Sequence, residues 1–466
     1  MSSHSFQGIE TFKQVEDLFS RHGVHRLFIK QLAPNQDNEK NQVYLASGGK
    51  TNSILNAFSA ELSYRSASTS TSKSRSSEGT PKIEMLLNFS WLTKNGIPYR
   101  APHAKIINYF QYPEARFSGF LKSCDGPPDA MRRDRQDLYG KRVLVLGPND
   151  SGETFGLVLT ERDDPVVSKF PDFPVSRLFP ALHEHIIGAE SGRSSRELLI
   201  AELTQLSGMW HPSITLKPRA SAPIPFRGNQ GAGFTLEALL KVARNSDKAP
   251  DKHGFELKAF QPSGRISLMT PTADLGFEGK SSFREFMQRY GWQGANHIDR
   301  RVFNGTFKYQ TPKRTLAGHR LALGLSGFNS AFTALDVDDG SGSVDLRSLE
   351  ENLVASGWSF QKLLDGWQEK HASACYVEYE KRPYTGCGNQ HDHEYRFTGR
   401  LMVCEGTSIW NFIKGIAARN VYYDPGHEIR ADGASKQRPQ WRISVTKKFH
   451  SNLQSLYDEV EELRVV

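Results

Sequence analysis

PDKHGFELKAF, residues 250–260, decides how the second half of the chain reads. Side chains alternate between faces in a strand, so Glu256 and Lys258 project together while Leu257 turns toward a core. Asp251 precedes the strand closely enough to swing its carboxylate beside that of Glu256. Two adjacent carboxylates make a hard oxygen site suited to Mg²⁺, which takes carboxylate, water and phosphate ligands. Such an ion can polarise a phosphodiester, and a neighbouring lysine can orient the attacking water or stabilise developing charge. A proline, an aspartate, an acid and a lysine in this register arise by chance in about one chain in a hundred of this length. The context adds weight. An amphipathic helix carrying Glu237 is predicted upstream over Gly233–Arg244 (GFTLEALLKVAR), and a second strand downstream over Arg265–Met269. The bland alternatives are a surface hairpin with an incidental ion pair and, for Glu237, a solvated helix acid.

Outward from this core, residues 212–233 (PSITLKPRASAPIPFRGNQGAG) carry four prolines and three glycines. That composition interrupts helix and sheet alike and predicts an interdomain linker. Two domains suit 466 residues, giving expected limits of 1–211, a linker over 212–233, and 234–466. The first domain reads as short strands: Arg26–Leu32, Gln42–Ala46, Ile83–Phe89, Arg142–Gly147 and Phe155–Thr160. One helix follows, with Ser194 or Ser195 as its N-cap. Many strands and few helices predict a mostly-β barrel or pseudobarrel, whereas the second domain reads as α/β with a central mixed sheet. The run Ser66–Ser77 (SASTSTSKSRSS) cannot bury apolar surface and is expected as a mobile loop.

With 38% hydrophobic residues the chain is globular. A net charge of +8 suits a polyanionic partner mildly, through counterion release from phosphates. Cys124, Cys375, Cys387 and Cys404 lie far apart, as reduced thiols do. Neither a signal peptide nor a membrane-spanning run is evident, so a soluble, cytoplasmic protein is expected.

Residues 231–260 (GAGFTLEALLKVARNSDKAPDKHGFELKAF), followed by GRISLMTP, resemble the catalytic segment of the MvaI/BcnI restriction endonucleases, a branch of the PD-(D/E)XK nuclease superfamily. The likeness extends more loosely from about Gly228 to Val466. It implies catalytic roles for Asp251, Glu256 and Lys258, Mg²⁺ held by Asp251 and Glu256, and a place near the metal for Glu237. Residues 26–48 (RLFIKQLAPNQDNEKNQVYLASG) resemble the opening of an EcoRII-type effector domain, a DNA-binding pseudobarrel shared with plant B-three factors. In that fold two arms grip the major groove. Here they would lie near Asn38–Tyr44, with Asn41 and Gln42, and near Lys94–Arg116, with Lys94, Arg100, His103, Lys105 and Arg116. Lys and Arg reach both phosphate and guanine; the alternative for each is an ordinary solvated basic face.

The late stretch GHEIRADGASKQRPQWRI (426–443) gathers His427, Arg430, Asp432, Lys436, Arg438 and Arg442 around a glycine-containing loop. Arg pairs bidentately with guanine and Asp accepts from cytosine, so base reading is expected there. CGNQHDHEY (387–395) lacks a second ligand pair for zinc; DNA contact by His391 or His393 is as plausible. DVDDGSGSVD (336–345) fails the calcium-loop register and reads as an acidic turn. The resemblances together imply a type II restriction endonuclease cutting double-stranded DNA with Mg²⁺ at CCWGG or a related CCNGG site. They further imply a second copy of the site bound by the first domain, a monomer, and a cognate DNA methyltransferase in the same host. The competing readings are a nuclease of methylated or mismatched DNA and a non-catalytic DNA-binding protein.

Overall fold

The computed structural model describes residues 8–33, 41–47, 54, 57–65, 82–109, 114–176, 179, 181–188, 193–228, 230–244, 250–295, 297–336, 341–368, 371–386 and 390–465. The Ser-rich run, residues 38–40 of the first expected arm, Cys387 and residues 337–340 lie outside them. The chain divides into two compact units, Met1–Ala201 and Glu202–Val466.

The first unit opens with α1 (Phe12–Ser20), whose Thr11/Gln14 capping box satisfies its first-turn donors. Its strands are β1 (Arg26–Leu32), β2 (Gln42–Ser47), β3 (Ala60–Arg65), β4 (Lys82–Leu92), β5 (Pro98–Arg100), β6 (Lys105–Tyr109), β7 (Glu114–Ser118), β8 (Arg142–Pro148), β9 (Glu153–Thr160) and β10 (His183–Ile186). They form one sheet in the order β10-β1-β8-β9-β4-β6-β7-β2, with β3 and β5 also on β4. Every pairing is antiparallel except β4 with β9. Val15, Leu18 and Phe19 of α1 join Leu27, Ile29, Val145, Leu157 and Leu159 in a closed apolar cluster. All five predicted strands are present.

Lys94, expected on a DNA-facing arm, points inward instead. Its ammonium pairs with Asp164, which is fully buried, and donates to the Val158 carbonyl at 3.0 Å. Asp164 also accepts from the amides of Ile9 (3.0 Å) and Thr160 (2.8 Å). The β4–β5 turn places Lys94 over a carboxylate seventy residues away in sequence.

The second unit starts within α2 (Ser195–Leu206), which straddles the boundary between units. The proline-rich stretch expected as a linker bears short structure: β11 (Trp210–Pro212), β12 (Ile214–Thr215) and β13 (Ile224–Pro225). β11 is an edge strand of the main sheet, and β12 pairs with β13. Then come α3 (Gly231–Leu239), β14 (Glu256–Phe260), β15 (Gly264–Met269), α4 (Gly276–Lys280), α5 (Phe283–Tyr290), β16 (Trp292–Gly294), β17 (His297–Asn304), β18 (Lys313–Arg314), β19 (Arg320–Ser326), β20 (Ser343–Ser348) and β21 (Leu353–Ser359). The chain closes with α6 (Phe360–Gln368), β22 (Ser373–Pro383), β23 (His393–Glu405), α7 (Ile409–Ala417), β24 (Val421–Tyr423), β25 (Gly426–Arg430), β26 (Ser435–Lys436), β27 (Trp441–Val445), α8 (Phe449–Gln454) and β28 (Glu459–Arg464).

The main sheet runs β11-β23-β22-β14, with β28 also on β23, and is mixed because β14 lies parallel to β22. Smaller sheets follow as β15-β27-β24, β16-β17-β25-β26 and β18-β19-β20-β21. Trp358, Tyr423 and Trp441 pack edge to face in the interior, beside the buried faces of α6 and α7. Helix α3 stops at Leu239, short of the predicted Arg244, because Lys241 takes a left-handed conformation (φ +61°).

Removing the Lys94 ammonium would strand a buried carboxylate, which costs about 3–5 kcal/mol when nothing replaces the partner. Lys94→Met should therefore lower the unfolding free energy of the first unit by that order in urea titrations. Adding Asp164→Asn, which keeps an acceptor for Ile9, should recover part of the loss.

Candidate active site and nucleic-acid contacts

Between α3 and β14 the chain makes a tight turn. Phe255 N–H donates to the Lys252 carbonyl at 2.8 Å, and Lys252 N–H returns to Phe255 at 3.1 Å. His253 (φ +49°) and Gly254 (φ +80°) both sit in the left-handed region, where glycine carries no Cβ penalty. The turn delays the strand to Glu256 and lays Asp251 beside it: Leu257 N–H donates to Asp251 Oδ2 at 2.9 Å. Lys252 Nζ donates to the Leu240 carbonyl at 3.0 Å, fastening the turn to the end of α3. Glu202 takes Lys252 at 3.3 Å and His253 at 3.0 Å.

On one face of β14, Lys258 Nζ donates to Glu256 Oε1 at 2.5 Å. Glu256 is buried, whereas the lysine side chain keeps about a fifth of its surface exposed (21%). Burial pulls the Lys258 ammonium down. Glu256 outweighs that, with Asp251 and Glu237 adding to it, and holds the group above the ordinary lysine value. The four residues named from sequence thus share one electrostatic neighbourhood. Among the described residues no three His, Cys, Asp or Glu side chains are gathered as a ready-made metal cage. A carboxylate pair still suits Mg²⁺, which usually binds through one or two carboxylates and takes its other oxygens from water and phosphate.

The residues expected to read bases divide. Arg430, Asp432, Lys436 and Arg438 lie on the β25–β26 hairpin and its return limb, and Ala431–Arg438 are all exposed. Arg430 and Lys436 lean on Glu428 at 3.2 and 3.5 Å, and Asp432 accepts from Ala434 N–H at 2.9 Å to shape the tip. His427 is a correction: its side chain is buried, with both ring nitrogens engaged inside the unit, so it cannot touch bases. Arg442 on β27 shares Asp424 Oδ2 with Arg265 of β15, each at 2.8 Å. Ser267 Oγ receives Arg442 Nε (3.2 Å) and Gln440 Nε2 (3.3 Å). Sequence reading missed Arg265 and Asp424. The alternation of β15, which sends Arg265 to the same face as Ser267, was the available signal.

In the first unit, Arg116 donates to Gln42 Oε1 at 3.0 Å, pairs with Glu114, and lies 4.7 Å over the Tyr44 ring. Tyr44 is 44% exposed and was not singled out from sequence. Asn41 Oδ1 accepts from Arg133 N–H at 2.9 Å, which brings an unforeseen cation to the first arm. Arg100 and His103 are exposed. Lys105 donates to the buried Glu84 at 3.0 Å and, with His103 and Lys122, lines an open recess of about 420 Å³. His391 bonds the Ser213 carbonyl at 2.7 Å, and Cys375 and Cys404 are buried and take part in no disulfide.

The sequence profile of the MvaI/BcnI restriction endonuclease family matches residues 200–457, more than half of the chain. Among solved structures, a restriction endonuclease MvaI–cognate DNA substrate complex covers 59% of this chain and 100% of its own, at 14% identity and TM-score 0.44. MvaI in the absence of DNA covers 60% and 100%, at 13% identity and TM-score 0.32. No curated protein matches the chain. No helix among the described residues is long and apolar enough to cross a membrane. The chain belongs to the MvaI/BcnI restriction endonuclease family and is a type II site-specific deoxyribonuclease.

Proposed function

We propose that the second unit hydrolyses double-stranded DNA with Mg²⁺ at the head of β14, and that the first unit is an EcoRII-type pseudobarrel that binds a second copy of the site. The observation that carries the first part is that Glu256 and Lys258 are bonded on one face of β14 while Asp251, fastened to the Leu257 amide at the head of that strand, acts on the same ammonium. Asp251 and Glu256 hold Mg²⁺, which when bound supplies the positive charge that polarises the scissile phosphate. Lys258, kept protonated by its acidic neighbours, orients the attacking water and offsets charge developing on the phosphate oxygens. Glu237 extends the acidic side of the site from α3. Bases are read by Arg430, Asp432, Lys436 and Arg438 on the hairpin and by Arg442 beside Arg265. The site is CCWGG or a CCNGG relative, by analogy with the two resembled groups. The enzyme acts as a monomer, and a cognate methyltransferase protects the host's own copies.

In the first unit, Gln42 and Arg116 with Tyr44 form one gripping surface, and Arg100, His103 and Lys105 the other. Two binding units on one chain raise each other's effective concentration when both sites lie on one molecule.

Asp251→Ala, Glu256→Ala and Lys258→Ala should each lower the cleavage rate by roughly a thousandfold or more, since several kcal/mol of transition-state stabilisation is lost. Duplex binding in gel shifts should stay within a few-fold. A single variant that cuts at the wild-type rate would overturn the assignment.

DNA carrying two sites should be cut several-fold faster than DNA carrying one, and a short duplex bearing the site should rescue the one-site substrate. Arg116→Ala should remove that advantage while leaving the one-site rate unchanged, and should reduce the salt slope of binding by about one. Equal rates on both substrates would make the first unit an affinity anchor only.

A further inference from the structure

The hairpin that carries Arg430, Asp432, Lys436 and Arg438 has almost no interior of its own. Every residue from Ala431 to Arg438 is exposed, and β26 is two residues long. β25 is held by β17 in a four-stranded sheet, but β26 is the two-residue edge of that sheet and by itself does little to hold the return limb. Besides the backbone bond from Gly426 N–H to the Arg438 carbonyl at 2.9 Å, the return limb is fastened to one buried acid–imidazole pair. Arg438 N–H donates to His427 Nδ1 at 2.9 Å, and Gln437 Nε2 donates to Glu278 Oε1 at 2.8 Å. His427 Nε2 lies 3.4 Å from Glu278 Oε1 and 3.2 Å from the Tyr423 hydroxyl. The side chains of both members are essentially without solvent contact, at 0% and 1% exposure.

The backbone donor fixes the chemistry of the ring. A nitrogen that accepts from Arg438 N–H carries no proton, so His427 is the Nε2–H tautomer and its proton faces Glu278. One face of the imidazole therefore serves the hairpin and the other serves the core. Phe283, Phe286 and Phe303 wall the ring at centroid distances of 5.4, 6.1 and 5.9 Å, and leave it no room to turn. Phe303 lies opposite His427 in the β17–β25 ladder, so the wall is tied to the same strand. The capping box of α5, Ser282 with Glu285, sets the start of the helix that supplies Phe283 and Phe286. Although burial pushes the Glu278 carboxyl up, its bonds to His427 and Gln437 hold it below the ordinary range.

We infer that Glu278 and His427 are positioning residues for site recognition: through Gln437 and Arg438 they set where the exposed cations of the hairpin stand against the DNA. A site must be held within about half an ångström to read bases, and a two-residue edge strand does not supply that. The inference rests on the reading that this hairpin contacts DNA. A pair serving general stability alone would have no need to end on the Gln437 side chain and the Arg438 amide, next to the exposed tip.

The test uses the full-length enzyme, a duplex with the sequence it cuts (fixed by sequencing the product ends), and duplexes differing by one base pair. His427→Phe fills the aromatic cage but offers no nitrogen, and Glu278→Leu removes the acceptor. His427→Asn and Glu278→Gln are the mild partners that keep an acceptor for Arg438 N–H and for Gln437. The cleavage ratio between the true and altered duplexes should fall about tenfold or more in His427→Phe and Glu278→Leu, as expected when one base contact is lost. The change should appear in KM for the true site, with kcat at saturation within about twofold, and Glu278→Gln should retain the wild-type ratio. If His427→Phe fails to fold, Glu278→Leu with hydrogen exchange of residues 431–440 answers the same question: faster exchange there with an altered ratio supports the inference, and an unchanged ratio overturns it. Lys436→Ala and Arg438→Ala separate the two possible failures. If they change the ratio and the buried substitutions do not, the positioning role is wrong and the contact reading stands. If they leave ratio and KM unchanged, the hairpin does not read DNA and both fall.

Discussion

The bond from Leu257 N–H to Asp251 Oδ2 closes the loop of residues 251–257, and the geometry of the catalytic unit depends on it. Without that acceptor the first free amide of β14 would have no partner at the start of an edge strand. With it, Asp251 cannot leave the side of Glu256. Closure requires two consecutive residues in the left-handed region, and a non-glycine residue such as His253 adopts that region only at some cost. Glu202 offsets the cost by taking the His253 ring, and the Leu240 carbonyl takes Lys252 from the other side. The end of α3, the turn and the head of β14 thereby behave as one piece. This explains how Glu237, nineteen residues before Glu256, comes to act on the same ammonium.

Formal charge is a poor guide to this molecule, because many of its cations are committed internally. Lys94 neutralises Asp164, Lys105 answers Glu84, and Arg265 and Arg442 converge on a single oxygen of Asp424. Two guanidiniums on one carboxylate still leave a positive charge and several outward N–H donors, held more stiffly than either arginine alone would be. What suits such a surface to a phosphate-rich partner is this fixed residue of donors and not the net +8 of the chain.

How far the sequence could be read follows from the range of the interactions involved. Alternation put Glu256 and Lys258 on one face, and proximity along the chain put Asp251 beside them. These are local facts, legible in eleven letters. Lys94 and His427 carry no local sign of burial; what turns them inward is Asp164 for one and Glu278 for the other, each far away in sequence. A lysine and a histidine amid polar residues look alike whether they meet solvent or a buried acid. Residues 212–233 misled in the opposite way. Their prolines suggest a linker, yet Thr235 Oγ1 accepts from Ile214 N–H, Ser213 O accepts from Phe226 N–H, and Phe226 packs on Phe234. Prolines 212 and 225 sit where strand pairing is short, and there a missing donor costs little.

The ladder around β15 links the proposed catalytic strand to the proposed recognition hairpin. β15 follows β14 after residues 261–263 and pairs antiparallel with β27, so Ser267 stands opposite Arg442. β27 in turn continues directly from the return limb of the exposed hairpin through Pro439 and Gln440. A separation of nearly two hundred residues in sequence thus collapses to one short turn and one strand pairing in space. Elements joined by backbone ladders keep their distances far better than elements joined by loops. In the proposed function, the offset between the phosphate that is cut and the bases that are read is a property of the β14–β15–β27 framework. Within that framework the freedom left to the hairpin is confined to its tip, which is why a buried acid and imidazole at its base are placed where they can decide the register of reading.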